Sequence, residues 1–235
     1  MNKAPRDETR RNFLKHASLF AVALPVGALL GCARPAHTQL ARTAAPTPGD
    51  ATRRVGGHCD GCEGIYEGMP SQLNWETRIA AASEPGEPLE ASGHIYRRDG
   101  LTPAPGVILY VYHTDARGLY SPAPGATGLT RRHGHLRGWM KTNERGEYKF
   151  NTIKPASYPN SNIPMHIHPI IKEPDKNEYF IDSWEFDEDP FLTPDIRARR
   201  TNICGSGIVR LTKSTGGVWL AKRDIILGLN VENYD

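Results

Sequence analysis

Two histidines and two tyrosines have types and spacing that suit metal chemistry. His166 and His168 are two residues apart in a segment typical of a β-strand, and residues i and i+2 of a strand point to the same face. Tyr158 lies shortly before them, and Tyr120 lies farther upstream. Two phenols and two imidazoles are an uncommon ligand set that suits ferric iron, because hard anionic oxygen ligands favour the ferric state. The spacing therefore predicts an Fe(III) site.

The segments that must position these side chains are typical of strands and turns. Residues 106–113 are rich in β-branched and aromatic residues, which indicates a buried strand, and residues 147–150 alternate polar with apolar. Further strands are predicted at 89–96, 166–171, 179–184, 207–211 and 218–227, with one short helix at 193–200. Short strands between turns, together with 19 Pro and 23 Gly, predict an all-β fold, a β-sandwich with few short helices.

A second histidine pair allows a different metal site. His133 and His135 flank Gly134, and together with His166 and His168 they would make a four-histidine centre closer to copper or a cupin-like site. Gly134 favours a flexible turn at this position at least as much as a strand. We therefore expect His133 and His135 to be solvated imidazoles that line the mouth of the site, where they could contact substrate.

The first residues of the chain resemble an export signal. Arg10 and Arg11, within residues 9–15, match a twin-arginine pattern, and a mostly apolar run at 17–30 is short for a bilayer span. The run ends in Leu-Leu-Gly before Cys32, which has the form of a lipobox. These features predict a signal peptide at 1–31, lipidation at Cys32, a flexible tether at 32–55, and a lipid-anchored protein at the cell envelope, on the periplasmic or outer surface.

The charge of the chain argues against a nucleic-acid partner. The formal net charge is +3, and five basic against two acidic residues in the predicted signal peptide account for it. The remaining chain is near neutral and has no basic stripe or polybasic tract. We expect partners of other kinds: a small molecule and the membrane, with a homo-oligomer left open.

Three cysteines follow the predicted tether. Cys59 and Cys62 form a C-x-x-C pair, and Cys204 lies far along the chain. The pair lacks the βαβ context of a thioredoxin-type motif and is too small for a zinc site without further ligands. In an exported protein the three residues are disulfide candidates, either Cys59 with Cys62 or one of them with Cys204. The pair belongs to an N-terminal extension at 56–87, which precedes the predicted sandwich domain at 88–235.

Several landmarks follow one another over residues 92–230 in an order typical of one family. They lie at residues 103–107, 114–120, 136–138, 141–150, 152–159, 166–168 and 223–227. This ordered set resembles the intradiol ring-cleavage dioxygenases, the catechol and protocatechuate dioxygenase family. The resemblance implies a β-sandwich of that type and a non-haem Fe(III) centre. It also implies a catechol-type substrate that is cleaved with O2 between its two hydroxyls.

The resemblance also implies a role for each candidate ligand. Tyr120 is similar to the equatorial tyrosinate of the family and Tyr158 to the axial one, while His166 and His168 are similar to the equatorial and axial imidazoles. A hydroxide fills the fifth position in the family. By this resemblance, a catechol would displace the hydroxide and Tyr158, and these two groups would accept its two protons. The implied product is a muconate-type diacid that contains both atoms of O2.

One position departs from the family pattern. Well-known members carry an arginine three residues before the first histidine ligand, and this chain has Ile163 there. A cation at that position stabilises charge that develops on the bound substrate. Arg132, Arg137 and Lys154 are the candidates to replace it. Arg137, in the family-like Arg-Gly segment, is predicted as a catalytic residue together with Tyr158, although a role in the fold is an alternative for Arg137.

A different class of function uses the same fold. A lipid-anchored β-sandwich can serve as a non-catalytic module that binds a ligand or partner, since a fold does not determine a function. Five aromatic residues could form such a surface, although packing inside the sandwich is the commoner role of such residues. They are Tyr66, Trp75, Trp139, Trp184 and Trp219.

Overall fold

The structure is a computed structural model in which residues 54–235 are described. The predicted signal peptide, Cys32 and nearly all of the predicted tether at 32–55 lie outside these residues. Within residues 54–235, no helix is both long enough and apolar enough to cross a bilayer.

The first sheet has six strands. Its strands are β1 (Glu76–Arg78), β2 (Pro88–Tyr96), β5 (Glu147–Ile153), β10 (Leu211–Lys213), β11 (Trp219–Lys222) and β12 (Ile225–Ile226). Strand order is β1-β5-β2-β11-β10, and β12 pairs with the far end of β2. The central pair β2/β5 is antiparallel, whereas β1 runs parallel to β5 and β11 runs parallel to β2.

The second sheet also has six strands and carries the candidate site. Its strands are β3 (Ile108–His113), β4 (Arg137–Lys141), β6 (His166–Lys172), β7 (Glu178–Phe180), β8 (Trp184–Phe186) and β9 (Ile208–Val209). Strand order is β4-β3-β6-β8-β9, with β7 paired to the other half of β6. The central pairs β4/β3 and β3/β6 are antiparallel.

The main core lies between the two sheets. Strand β5 alternates as its sequence predicts, so Tyr148 and Phe150 are buried. Phe150 meets Trp184 of the second sheet edge to face, with ring centroids 5.8 Å apart. Such aromatic pairs stabilise a core beyond the burial of their area. The predicted all-β sandwich is therefore confirmed.

Some predicted elements differ in detail. The predicted strand at 179–184 is two strands, β7 and β8, which pair with different parts of β6. Helix α2 (Pro194–Ala198) begins after Thr193, whose Oγ1 accepts a hydrogen bond from the backbone of Ile196. The expectation of one helix was wrong, because a second helix, α1 (Gly128–His133), lies between β3 and β4. It is short and has no apolar periodicity, so its sequence resembles a loop.

The N-terminal extension packs against the outer face of the second sheet. A short 3₁₀ helix (Cys62–Ile65) buries Cys62 and Ile65 against Tyr110 of β3. The indole nitrogen of Trp139 in β4 donates a hydrogen bond to the backbone oxygen of Ile65 at 2.6 Å. The second sheet is therefore covered on both faces, by the core and by the extension.

Candidate metal centre

Strand β6 directs two imidazoles to one side of the second sheet. Ile167 and Ile171 point into the main core, so His166 and His168 point to the opposite face, as the period of a strand requires. The two Nε2 atoms lie 3.0 Å apart. This convergence is the one predicted from their spacing.

A compact turn presents Tyr120. The side chain of Asp115 accepts hydrogen bonds from the backbone amides of Arg117 and Leu119, at 2.9 and 3.1 Å, and from Ser121 Oγ at 2.8 Å. Although burial raises the pKa of Asp115, hydrogen bonds from Arg117 and Ser121 and from the backbone amides hold it at about 2. The ionised carboxylate therefore organises the turn that ends at Tyr120.

The loop that carries Tyr158 is held against this turn. Thr114 Oγ1 donates a hydrogen bond to the backbone oxygen of Ala156 at 2.7 Å. Gly118 has a φ of 78°, and a Cβ at this position would lie 2.0 Å from the backbone oxygen of Ser157. Only a glycine allows the two backbones to approach this closely. The approach brings Tyr120 and Tyr158 together although they are far apart in sequence.

The four predicted ligands form one cluster. Tyr120 Oη lies 2.9 Å from Tyr158 Oη, and Tyr158 Oη lies 3.0 Å from His166 Nε2. His166 Nε2 in turn lies 3.0 Å from His168 Nε2. Two phenol oxygens and two imidazole nitrogens, contributed by two loops and one strand, thus face one small volume.

The protonation of His166 leaves one of its ring nitrogens able to bind a metal ion. His166 Nδ1 lies 2.7 Å from the backbone oxygen of Pro164, and a carbonyl oxygen can only accept, so Nδ1 carries the proton. His166 Nε2 therefore directs a lone pair into the cluster. A cation bound there would be held by oxygen and nitrogen donors, which is a set that suits Fe(III).

Burial keeps the imidazoles neutral. Burial and the neighbouring imidazoles lower the pKa of His168 to about 3, and burial also lowers the pKa of His166. Neutral imidazole is the form that binds a metal. Burial, followed by the contact with Tyr158, raises the pKa of Tyr120 above its ordinary value. A bound cation would be needed to hold that phenol ionised at neutral pH.

His133 and His135 do not join the cluster, so the four-histidine site is wrong. His133 Nδ1 bonds the Tyr110 hydroxyl at 2.9 Å. His135 bonds the backbone oxygen of Ser121 at 2.7 Å and Glu84 at 3.1 Å. Across residues 54–235, no group of three or more His, Cys, Asp or Glu side chains could hold a metal ion. The candidate centre has two such residues and depends on its two tyrosines.

The expectation of two solvated loop imidazoles was also wrong for His133. Its exposed fraction is 1%, and it ends helix α1, where Gly134 adopts a φ of 74° and turns the chain away. His135, beyond that turn, is half-buried. His133 does line the candidate cavity, as predicted, but as a packed side chain.

Tyr112 is a component of the site that sequence reasoning missed. It pairs across the strands with His168, and its ring stacks on His168 at 4.7 Å and on His133 at 3.8 Å. Tyr112 thus fixes the plane of a candidate ligand from one side. The signal in the sequence was its place in β3, two residues from the buried Tyr110, on the face opposite Val111.

A cavity of about 470 Å³ opens beside the cluster, a size typical of sites for small organic ligands. Besides Tyr120, Tyr158 and His168, its wall includes residues of β3, α1, β7 and the N-terminal extension. They are Tyr112, Arg132, His133, Phe180, His58, Cys59 and Asp60. The extension therefore helps to form the wall, which its sequence alone did not specify.

The three candidate substitutes for the arginine of the family pattern lie in different places. Arg132 lines the cavity. Arg137 donates to the backbone oxygen of Glu67 at 2.9 Å and lies over the ring of Trp139, and Lys154 pairs with Glu87. Ile163 is 49% exposed. The structure thus brings Arg132, but not Arg137 or Lys154, to the wall of the cavity.

The three cysteines after the tether are in two states. Cys59 and Cys62 form a disulfide with a Cα–Cα distance of 5.6 Å. Cys204 is a buried free thiol, and burial raises its pKa to about 12. It is therefore protonated and packs as a small apolar residue in the main core.

The sequence matches one family model over most of the sandwich. A model described as Dioxygenase matches residues 65–215. The curated protein catechol 1,2-dioxygenase 1 of Acinetobacter lwoffii is 25% identical over 205 residues, which cover 74% of this chain and 61% of that protein. The chain therefore spans less than two thirds of the length of this relative.

Solved structures share the fold. Catechol 1,2-dioxygenase from Acinetobacter sp. ADP1, inhibited by bound mercury, is 21% identical with a TM-score of 0.53, covering 68% of this chain and 58% of that one. 3-Chlorocatechol 1,2-dioxygenase from Rhodococcus opacus 1CP is 19% identical with a TM-score of 0.51, covering 68% of this chain and 66% of that one. At these identities the likeness is one of architecture.

Proposed function

We propose that this chain, which belongs to the intradiol dioxygenase family, is a non-haem Fe(III) dioxygenase that cleaves a catechol-type ring between its two hydroxyls. The products would be a muconate-type diacid, with both atoms of O2 incorporated. The observation that carries the proposal is the cluster of two phenol oxygens and two imidazole nitrogens linked by distances of 2.9–3.0 Å.

The four clustered residues would hold the metal. Tyr120 and Tyr158 would supply two phenolate oxygens, and His166 and His168 two neutral imidazoles. Two phenolates and a hydroxide balance the three charges of ferric iron, which favours that oxidation state. When bound, the iron would supply a Lewis-acidic centre that makes a catechol reactive toward O2.

Tyr158 has a second role in the proposal, as the base for the substrate. Its Oη lies between Tyr120 Oη and His166 Nε2 in the cluster, and it also lines the cavity. It is therefore in reach of a catechol hydroxyl and can accept its proton. The ring of Tyr120 is packed against the rings of Tyr112, Tyr158 and His168, with centroid distances of 5.9, 5.9 and 6.2 Å, so Tyr120 would remain a fixed ligand.

The cavity fits a planar aromatic substrate. Tyr112, His133, His168 and Phe180 give it aromatic walls, on which an aromatic ring can pack. Of the three candidate cations, Arg132 is the one that lines the cavity, so Arg132 rather than Arg137 is proposed as the cation beside the substrate. Arg137, with its contacts to Glu67 and Trp139, is proposed to hold the extension against β4.

We also propose, from the sequence pattern at 1–32, that the protein leaves the cytoplasm by the twin-arginine route and is anchored through a lipid on Cys32. Metabolic labelling with a palmitate analogue tests this proposal. Incorporation that is lost in Cys32→Ser would support it, whereas equal labelling of both proteins would contradict it.

Product analysis tests the proposed activity most specifically. The iron-loaded protein is incubated with catechol under ¹⁸O₂, and the ring-opened product is analysed by mass spectrometry. Incorporation of both ¹⁸O atoms into a diacid supports intradiol cleavage. Protein that binds iron but yields no ring-opened product contradicts the proposal and favours the alternative of a binding module.

A further inference from the structure

The wall of the cavity carries an ion pair that the candidate ligands do not explain. Asp60 of the extension and Arg132 of helix α1 both line the cavity. Arg132 Nη1 donates to Asp60 Oδ1 at 3.0 Å, and Nη2 donates to Oδ2 at 2.6 Å. Both ends of the guanidinium fork are thus occupied by one carboxylate, which is the geometry in which arginine recognises carboxylates.

Asp60 is held in place by covalent structure. It lies between the two half-cystines of the Cys59–Cys62 disulfide, and Cys62 is buried in the cluster under β3. The neighbouring Gly64 sits so close to the His133 ring that a Cβ would lie 2.4 Å from it. The loop that carries Asp60 is therefore fixed against the helix that carries Arg132.

The ion pair of Asp60 and Arg132 brings the net charge of this part of the cavity wall close to zero. Hydrogen bonding to Arg132, and then its charge, lower the pKa of Asp60, so the carboxylate is ionised at neutral pH. A substrate carboxylate beside Arg132 would have to compete with Asp60 for the guanidinium, because both terminal nitrogens of Arg132 already donate to the Asp60 carboxylate. A neutral substituent of the same shape would not need that cation and would not face this competition.

We infer that Asp60, by occupying the guanidinium of Arg132, makes the cavity select catechols with uncharged ring substituents over catechols with a carboxylate. Asp60 is then a specificity-determining residue contributed by the extension. The inference rests on the proposed function, because it names the substrate class for that cavity.

Equilibrium binding of two probes of matched shape tests the inference. 4-Hydroxybenzamide and 4-hydroxybenzoate differ in charge at one substituent, and calorimetry on the full-length, iron-loaded protein gives the ratio of their affinities without turnover. The pair is exposed, at 53% for Arg132 and 70% for Asp60, so we expect the native protein to bind the amide more tightly by about two- to fivefold. Raising the salt from about 20 mM to about 500 mM should narrow this ratio.

Three variants complete the test. Asp60→Asn keeps the shape of the residue and removes the charge that occupies Arg132, so the ratio of affinities should fall by about two- to fivefold. Arg132→Gln leaves Asp60 unopposed, so the ratio should rise. Glu147→Gln, a control that breaks the exposed pair with Arg145 on the first sheet, should leave the ratio unchanged.

Two results would overturn the inference. One is a native protein that binds the benzoate as tightly as the amide or more tightly. The other is an Asp60→Asn ratio equal to that of Glu147→Gln. If the ratios shift as expected but no diacid forms under ¹⁸O₂, the proposed activity fails and the charge selection stands. If catechol is cleaved but Asp60→Asn changes nothing, the charge selection alone fails.

Discussion

Two histidine pairs with the same spacing have different surroundings in this fold. His166 and His168 lie on strand β6 and bring their Nε2 atoms within 3.0 Å. His133 and His135 lie at the end of helix α1 and beyond the turn at Gly134, and they bond Tyr110 and Glu84 instead. The comparison teaches that backbone conformation, and not spacing alone, decides whether two imidazoles converge.

The largest expected difference between the pairs concerns iron. His168→Gln should lower iron affinity by more than about 100-fold, because substitutions outside the ligand shell already cost about 10–100-fold. His135→Gln is the matched control and should retain iron at the level of the unsubstituted protein. Iron content after dialysis against a weak chelator measures both. Equal loss in the two variants would mean that the pairs are not functionally distinct.

The pH dependence of stability should reveal that the buried imidazole of His133 is neutral in the folded protein. Burial, followed by the charge of Arg132, lowers the pKa of His133 from 6.5 to about 4. Because the folded pKa is below the unfolded one, its neutral form contributes stability above about pH 6.5 that is lost as pH falls toward about pH 4. Because each pKa unit corresponds to about 1.36 kcal/mol, the loss of stability amounts to about 3 kcal/mol.

Denaturant unfolding at several pH values checks this effect. The free-energy difference between the native protein and His133→Gln should shrink by about 3 kcal/mol between about pH 7 and about pH 4, since the variant lacks the titrating ring. A difference that stays constant over this range would refute the assignment.

Gly134 separates His133 from His135, and its substitution should have the next largest effect on stability. It has a φ of 74° and a ψ of −175°, and a Cβ there would lie 3.0 Å from the backbone of Tyr120. Gly134→Ala should lower the free energy of unfolding by about 2–3 kcal/mol and weaken iron binding by displacing Tyr120. Gly125→Ala, with a φ of 76° and open space around it, should cost about 1 kcal/mol and leave iron binding unchanged.

The smallest effect belongs to His135. Although burial lowers its pKa, hydrogen bonds to Ser121 and Glu84 raise it overall, with a further contribution from Asp115. Its raised folded pKa means that the charged form contributes stability below about pH 6.5, which is lost as pH rises through the folded pKa. His135→Gln should therefore destabilise the protein at about pH 5.5 by less than about 1 kcal/mol and have almost no effect at about pH 8. An opposite trend with pH would contradict this assignment.

The sandwich was predictable because its strands carry a local signal. Alternation in residues 147–150 and the β-branched run at 106–113 both indicate strands, and the convergence of His166 with His168 follows from the period of a strand. The approach of Tyr120 to Tyr158 was available through the family resemblance, not through spacing. It depends on a backbone contact at Gly118 that no local pattern indicates.

The parts of the site that could not be predicted are those made by distant segments. Helix α1 is six residues long, too short for a periodic signal, and it is held by tertiary contacts such as the hydrogen bond that the Thr130 amide donates to Glu67 Oε2. In the sequence, Tyr112 is one of several aromatic residues in a predicted strand. Its contact with His168 becomes evident only when β3 is paired with β6. The role of Asp60 requires the position of Arg132, 72 residues away in sequence.

Anaerobic visible spectroscopy of the iron-loaded protein tests whether Tyr120, Tyr158, His166 and His168 hold ferric iron. We expect a tyrosinate-to-iron charge-transfer band that shifts when catechol is added and is lost or strongly altered in Tyr158→Phe. A colourless protein that cannot be reconstituted with iron, or a band that Tyr158→Phe leaves unchanged, would contradict it.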